Sequence, residues 1–168
     1  MLQDKKRISN ADLDSLVKEI NLNMSDLFKM KERGRIILGQ FINSEVLNFN
    51  RKNDKVSIYP LTYMLDFHGE LQGKIYLNLK PEIAIYLGGI LFNEELISVT
   101  ENVDEAMKEI LNIFSGHLAT FFHEHKYKID IGVPSETDVN FLKTKVRKKI
   151  LFRFTCKEHV LQIVMAIN

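Results

Sequence analysis

The residues best placed to do chemistry lie in one stretch, Glu101 to Gly116, which reads ENVDEAMKEILNIFSG. At about 100° of rotation per residue, Glu105, Glu109, Asn112 and Gly116 form a single stripe along a helix. Val103, Ala106, Met107, Ile110, Ile113 and Phe114 gather on the other side, which predicts an amphipathic helix with that face in a core. Lys or Glu would fill a solvated stripe cheaply. This one sets a carboxamide beside a carboxylate, and it carries a mid-helix glycine that costs roughly 1 kcal/mol relative to alanine. The combination points to another molecule approaching the helix backbone closely beside Glu109 and Asn112. Plainer readings compete with it. Glu109 and Asn112 fit an ordinary solvated face. Glu105 fits a helix start, complementing the dipole or reaching back toward Asn102. Gly116 fits close packing against another core element.

Other chemistry-bearing side chains lack the company they would need. His123 and His125 are two apart on the predicted helix and do not share a face; with His117 they form no i,i+4 pair, and there is no HExxH. No metal site is expected. Ser135 has no evident base beside it in the sequence, so it is not read as a nucleophile. Cys156 falls on an alternating strand and reads as a small core residue. Phe121 and Phe122 read as core. Lys143, Lys145, Arg147, Lys148 and Lys149 read as a solvated turn, with attraction of an acidic partner surface as the alternative.

The composition allows one domain with a sizeable core: 168 residues, 45% apolar, with eleven Phe and no Trp. A net charge of +1, from 23 basic and 22 acidic residues, argues against a nucleic-acid binder. The single cysteine rules out an intrachain disulfide and fits a reducing compartment. The N-terminus has no apolar signal core, and the longest apolar run, Ile83 to Phe92, is about half of a bilayer span. The expectation is a cytoplasmic protein with no membrane partner.

The elements that must position the stripe follow from periodicity. Residues 1–30 read as a helical N-terminal extension. Ser9 or Asn10 caps a short helix from Ala11 to Ile20, and Ser25 and Asp26 mark a second start. Lys31 to Phe49 reads as a longer helix. Three strands follow, around Val56 and Ile58, Tyr63 to Phe67, and Ile75 to Leu79, with turns at Gly69 and Gly73. Pro81 opens a helix to about Phe92. The stripe-bearing helix runs to about Lys126, then a short strand runs from Ile129 to Val133. Lys149–Cys156 and His159–Ile167 are apolar on both faces and should be central strands covered by helices on at least one side. The pattern predicts an α+β domain with a largely antiparallel sheet packed against long helices. No Walker or Rossmann glycine pattern is present.

Glu109-Ile-Leu-Asn112-Ile-Phe-Ser-Gly116 is similar to the E-x-x-N-x-x-x-G motif of the CheC/CheX/FliY chemotaxis phosphatases. Pro134 follows Asn112 by 22 residues, close to the family's spacing. Gly69-Glu-Leu-Gln-Gly73-Lys-Ile-Tyr-Leu resembles the family's approach to a core strand, and Pro81 to Phe92 the helix after it. The resemblance covers roughly residues 31–168. A second E-x-x-N, Glu45-Val-Leu-Asn48, has Lys52 where the glycine belongs and reads as coincidence. One copy makes the CheX type the nearer match. The sequence departs from the pattern at Glu105, where the family tends to carry Asp or Ser.

The resemblance implies an aspartyl-phosphate phosphatase acting on a phosphorylated CheY-like receiver domain. Asn112 would orient the attacking water, Glu109 would anchor on the receiver's active-site lysine, and Glu105 and Gly116 would meet the partner. It implies no cofactor in this chain, with Mg²⁺ held by the receiver, and a homodimer joined through its sheets. The alternative is a non-catalytic module of the same fold that binds a receiver or a flagellar switch component. Presence of both Glu109 and Asn112 favours the phosphatase, because a pure binder has no need of the amide.

Overall fold

Strand alternation and one long amphipathic helix account for most of the architecture. The structure is a computed structural model that describes residues 8–22, 43–48, 57–138, 145–156 and 159–168. The strands are β1 (Asn43–Asn48), β2 (Leu61–Gly69), β3 (Gly73–Leu79), β4 (Ile129–Ile131), β5 (Ser135–Glu136), β6 (Lys148–Cys156) and β7 (His159–Ile167). They form one sheet in the order β1-β6-β7-β3-β2-β4, with β5 also on β2, and every pairing is antiparallel. The helices among the described residues are α1 (Asn10–Leu22), α2 (Pro81–Phe92) and α3 (Glu101–Glu124). All three pack on the same face of the sheet, over Tyr63, Leu65, Phe67, Ile75, Leu77, Phe152, Ile163 and their neighbours. The fold class is the expected one, α+β with an antiparallel sheet.

Local signals place most elements where they should be. Pro81 sits in the first turn of α2, where its missing N–H would be unpaired anyway. The β2–β3 hairpin turns at Gly69, whose φ of +133° strains any other residue and where a Cβ would lie 2.3 Å from the Lys128 carbonyl. β6 and β7 are interior strands, as their two-sided apolar pattern requires. Ser9 caps α1: its hydroxyl accepts from the Asp12 amide at 3.1 Å and donates to the Asp12 carboxylate at 2.6 Å. Leu13 and Leu16 of that helix are buried in the core. Asp14 pairs with Lys148, Asn10 accepts from Arg147 at 2.9 Å, and Glu19 contacts His125 at the end of α3. Part of the basic run is therefore occupied with α1 rather than solvated.

Three expectations need correction. Residues 43–48 are not the end of a helix but strand β1, paired with β6 from Asn43↔Thr155 to Asn48↔Ile150. Spacing that fits a helix is outweighed here by a sheet edge to fill, and Glu45-Val-Leu-Asn48 loses the helical geometry that a second motif would need. The rest of that predicted helix, residues 31–42, lies outside the described residues, as do Ser25, Asp26, Val56 and Lys143. Residues 57–60 are not a strand. They form a segment that hydrogen-bonds to side chains on the face of the sheet opposite the helices. Finally, the strand expected at Ile129 to Val133 stops at Ile131 as β4, and a further two-residue strand, β5, follows Pro134; both pair with β2. The side chain of Cys156 is outside those described.

The face of the sheet away from the helices carries a polar row. Successive register partners Thr62, Asn78 and Gln162 are all buried. Asn78 Nδ2 donates to the Tyr59 and Leu61 carbonyls and to Thr62 Oγ1 at 2.8–2.9 Å; its Oδ1 accepts from the Tyr59 amide and from Gln162 Nε2 at 3.0 Å. Gln162 Nε2 also donates to the Ser57 carbonyl. These amides fasten residues 57–60 across the sheet at the start of β2. The next row, Tyr76, Val164 and Leu151, is apolar and buried.

Candidate functional site

The stripe is set by what fixes α3 in rotation. Its apolar side, from Val103 through Met107, Ile110, Leu111 and Phe114 to Phe122, is buried against the sheet. Ala106 meets α2 at Gly88, where an added Cβ would lie 3.2 Å from Leu96 and 3.6 Å from Ala106, so the glycine lets the two helices close. On the other flank, Tyr63 of β2 donates its hydroxyl to Asp104 at 2.6 Å. Three restraints therefore hold the helix, and they leave the remaining arc facing outward.

Glu105 and Asn112 are exposed, and Glu109 and Gly116 are half-buried. Glu109 and Asn112 are one turn apart, a Cβ separation of about 5–6 Å. Among the described residues, no hydrogen bond or ion pair engages either side chain. A Cβ at Gly116 would meet nothing within 4 Å, so close packing of another core element does not explain this glycine. Glu105 does not reach back to Asn102. It reaches forward to Lys108, with Oε1 to Nζ at 2.8 Å. That hydrogen bond raises the Lys108 pKa, and the pair offsets one of the two carboxylate charges on the stripe. Pro134 stands between β4 and β5. Among the described residues no group of His, Cys, Asp and Glu is arranged to hold a metal ion, and no helix is long and apolar enough to cross a membrane.

Sequence reasoning missed two members of this arrangement. Lys108 was open to inference, being three residues from Glu105 on a helix. The Tyr63–Asp104 contact spans 41 residues and carries no local signal. Burial first, then the hydrogen bond to Asp104, pushes the Tyr63 hydroxyl well above the ordinary tyrosine range. The sign of the linked stability follows. Unfolded Tyr63 ionises at about pH 10, as an ordinary tyrosine does, whereas the folded one stays protonated, so this contribution is complete below that pH and is lost as pH rises above it. The midpoint of thermal unfolding is expected to fall as pH rises from 9 to 11, and less steeply in Tyr63→Phe. At neutral pH that variant should be less stable by about 1–2 kcal/mol, the worth of a hydrogen bond to a carboxylate that keeps some solvent contact. Calorimetry across the pH range checks both parts.

The profile of the family "Chemotaxis phosphatase CheX" matches residues 61–154, more than half of the chain, and that span holds all four stripe residues. The chain belongs to the CheX family. No curated protein sequence matches it. Among solved structures, this CheX-family chain is similar to a chain of the CheX–CheY–BeF3–Mg²⁺ complex from Borrelia burgdorferi, with TM-score 0.69 and 19% identity, covering 90% of this chain and 97% of that one. It is also similar to the chemotaxis protein CheX from Vibrio vulnificus, with TM-score 0.67, 15% identity and coverage of 90% and 99%. The Thermotoga maritima FliY structure shares the fold at TM-score 0.60 and 16% identity, covering 95% of this chain and 91% of that one.

Proposed function

We propose that this chain hydrolyses the aspartyl phosphate of a CheY-like receiver domain, with Asn112 orienting the attacking water. The observation that carries the reading is the outward, unpartnered carboxamide of Asn112 one turn from Glu109, in a member of a chemotaxis phosphatase family. An acyl phosphate is already activated. Water oxygen bonds to phosphorus, the bond from phosphorus to the aspartyl carboxyl oxygen breaks, a carboxylate leaves, and the protons of the water depart with inorganic phosphate and solvent. Such a step needs position more than a strong base. An amide accepts from the water and donates to the phosphoryl group, and it brings no charge to repel it. Glu109 is assigned to a cation in the receiver site, because a carboxylate does not belong on a phosphate. The Glu105–Lys108 pair reduces repulsion at the near end of the stripe.

Mg²⁺ belongs to the partner in this scheme. The Borrelia relative was solved with CheY, BeF3 and Mg²⁺, which supports a receiver as partner and the ion on the receiver's side. A cytoplasmic location and a homodimer complete the proposal; light scattering on the purified chain tests the second. Loss of labelled phosphate from a phosphorylated receiver, with and without the chain, tests the activity. Acceleration is expected, and an unchanged rate with a receiver that binds would contradict it.

Gly116 gives a test with opposite signs. The added methyl has free space in the isolated chain. Gly116→Ala should therefore raise stability by about 0.5–1 kcal/mol through helix propensity. It should weaken receiver binding, because the methyl stands where the partner approaches. Thermal unfolding and a receiver titration on the same variant read the two effects.

A further inference from the structure

A second surface lies beside the start of α3. Four of the six exposed large hydrophobic residues among those described fall between positions 86 and 99: Tyr86, Phe92, Ile97 and Val99, with Ile97 88% exposed. They lie on α2 and on the loop after it, and Tyr86 also lines a groove there; exposed apolar surface gathered in one region marks interaction sites, whereas residues scattered singly do not. Next to them is an open groove of about 520 Å³ between the outer side of α2, at Ile85 and Tyr86, and the loop that turns back over its end, at Glu94 and Glu95. The loop closes on the helix because Asn93 adopts a left-handed φ of 53° and the Glu94 amide donates to the Gly89 carbonyl at 3.1 Å. Residue 89 must be glycine for this, since a Cβ there would lie 2.9 Å from the Glu94 carbonyl.

Charge says what fits. Between Lys80 and Lys108 the chain has six carboxylates and no basic residue, in a protein whose net charge is only +1. Among the described residues no ion pair engages Glu82, Glu94, Glu95 or Glu101. The chain's own basic run is a poor match, because Arg147 and Lys148 are already held by Asn10 and Asp14 of α1. The ledge runs directly into the first turn of α3, and by helical rotation Glu109 lies on the flank of the stripe that faces α2. An occupant of the ledge would be continuous with whatever covers Asn112.

We infer that this acidic, apolar ledge holds a second part of the same receiver domain, a segment with apolar side chains bracketed by Lys or Arg, and so sets which receiver is accepted. The inference rests on the proposed phosphatase reading for the identity of the partner. Two variants test it: Ile97→Ser, at a position too exposed to affect folding, and the pair Glu94→Lys with Glu95→Lys. The probe is a CheY-type receiver from the same cell, loaded with BeF3 and Mg²⁺ for binding and phosphorylated with acetyl phosphate for turnover. Each variant should raise Kd and KM about tenfold with kcat within about twofold, and the charge reversal should also flatten the salt dependence of binding. Unchanged Kd and KM beside an active wild type would overturn the ledge while leaving the phosphatase intact. A wild type that binds but does not hydrolyse would overturn the phosphatase, and the Kd of the variants would still decide the ledge. Variants that change only the chain's own solution mass would assign the surface to a second copy and overturn the inference.

Discussion

Asn112→Ala is expected to lower stimulated receiver dephosphorylation at least about a hundredfold, the usual scale for removing one positioned hydrogen-bonding group from a reacting centre, while receiver affinity changes little. The side chain is exposed and has no partner among the described residues, so its loss disturbs no internal contact. Stability should stay within about 0.5 kcal/mol of wild type, which separates a chemical defect from a folding one. Glu109→Lys should behave differently. It sets a cation against a cation in the receiver site, so Kd should rise at least about tenfold and turnover at saturating receiver should fall less than in Asn112→Ala. If both variants change KM and kcat together, the division of labour between amide and carboxylate is wrong. Rates measured at limiting and saturating phosphorylated receiver distinguish the cases.

The largest stability effect should come from a residue far from the stripe. Asn78 is fully buried, and its amide makes five hydrogen bonds that join β2, β3, β7 and residues 57–60. Asn78→Leu keeps the number and branching of the side-chain heavy atoms but removes a partner from the Tyr59 amide, the Tyr59 and Leu61 carbonyls, Thr62 and Gln162 at once. Each buried group left unpaired costs about 1–3 kcal/mol, and the losses overlap within one network, so a total of about 3–5 kcal/mol is expected. At about 2–4 °C per kcal/mol for a chain of this size, the unfolding midpoint should drop by at least about 6 °C. A drop of a degree or two would mean that water replaces the amide and that the row is solvated. β2 also carries Tyr63, so a loosened start of β2 should weaken the anchor at Asp104 that helps orient α3.

These two residues differ in how far they were legible beforehand. Asn112 was legible because the amphipathic period of α3 is local: Val103, Met107, Ile110 and Phe114 define the buried side, and the rest of the helix faces out. β3, with Ile75, Leu77 and Leu79 buried and Pro81 just beyond, was legible for the same reason. Asn78 was not, because its meaning depends on Gln162, 84 residues away, and on the chain before β2 folding back over the sheet. β1 was misread because residues 43–48 have no decisive local preference and are held as a strand by their pairing with β6. The loop over Gly89 was equally hidden, since a glycine pair inside an apolar helix does not announce which carbonyl will approach it. Within the site, the outward amide could be found from spacing, whereas the tyrosine that fixes the helix needed the sheet to be assembled.

The most direct test of the water-orienting role is a crystal structure of this chain bound to its receiver loaded with BeF3 and Mg²⁺. The account predicts the Asn112 side chain inside the receiver's active site, about 2.7–3.2 Å from a water in line with beryllium and the aspartyl oxygen, with Glu109 on a receiver cation. Asn112 outside that pocket, or a receiver docked on another face of the chain, would contradict it.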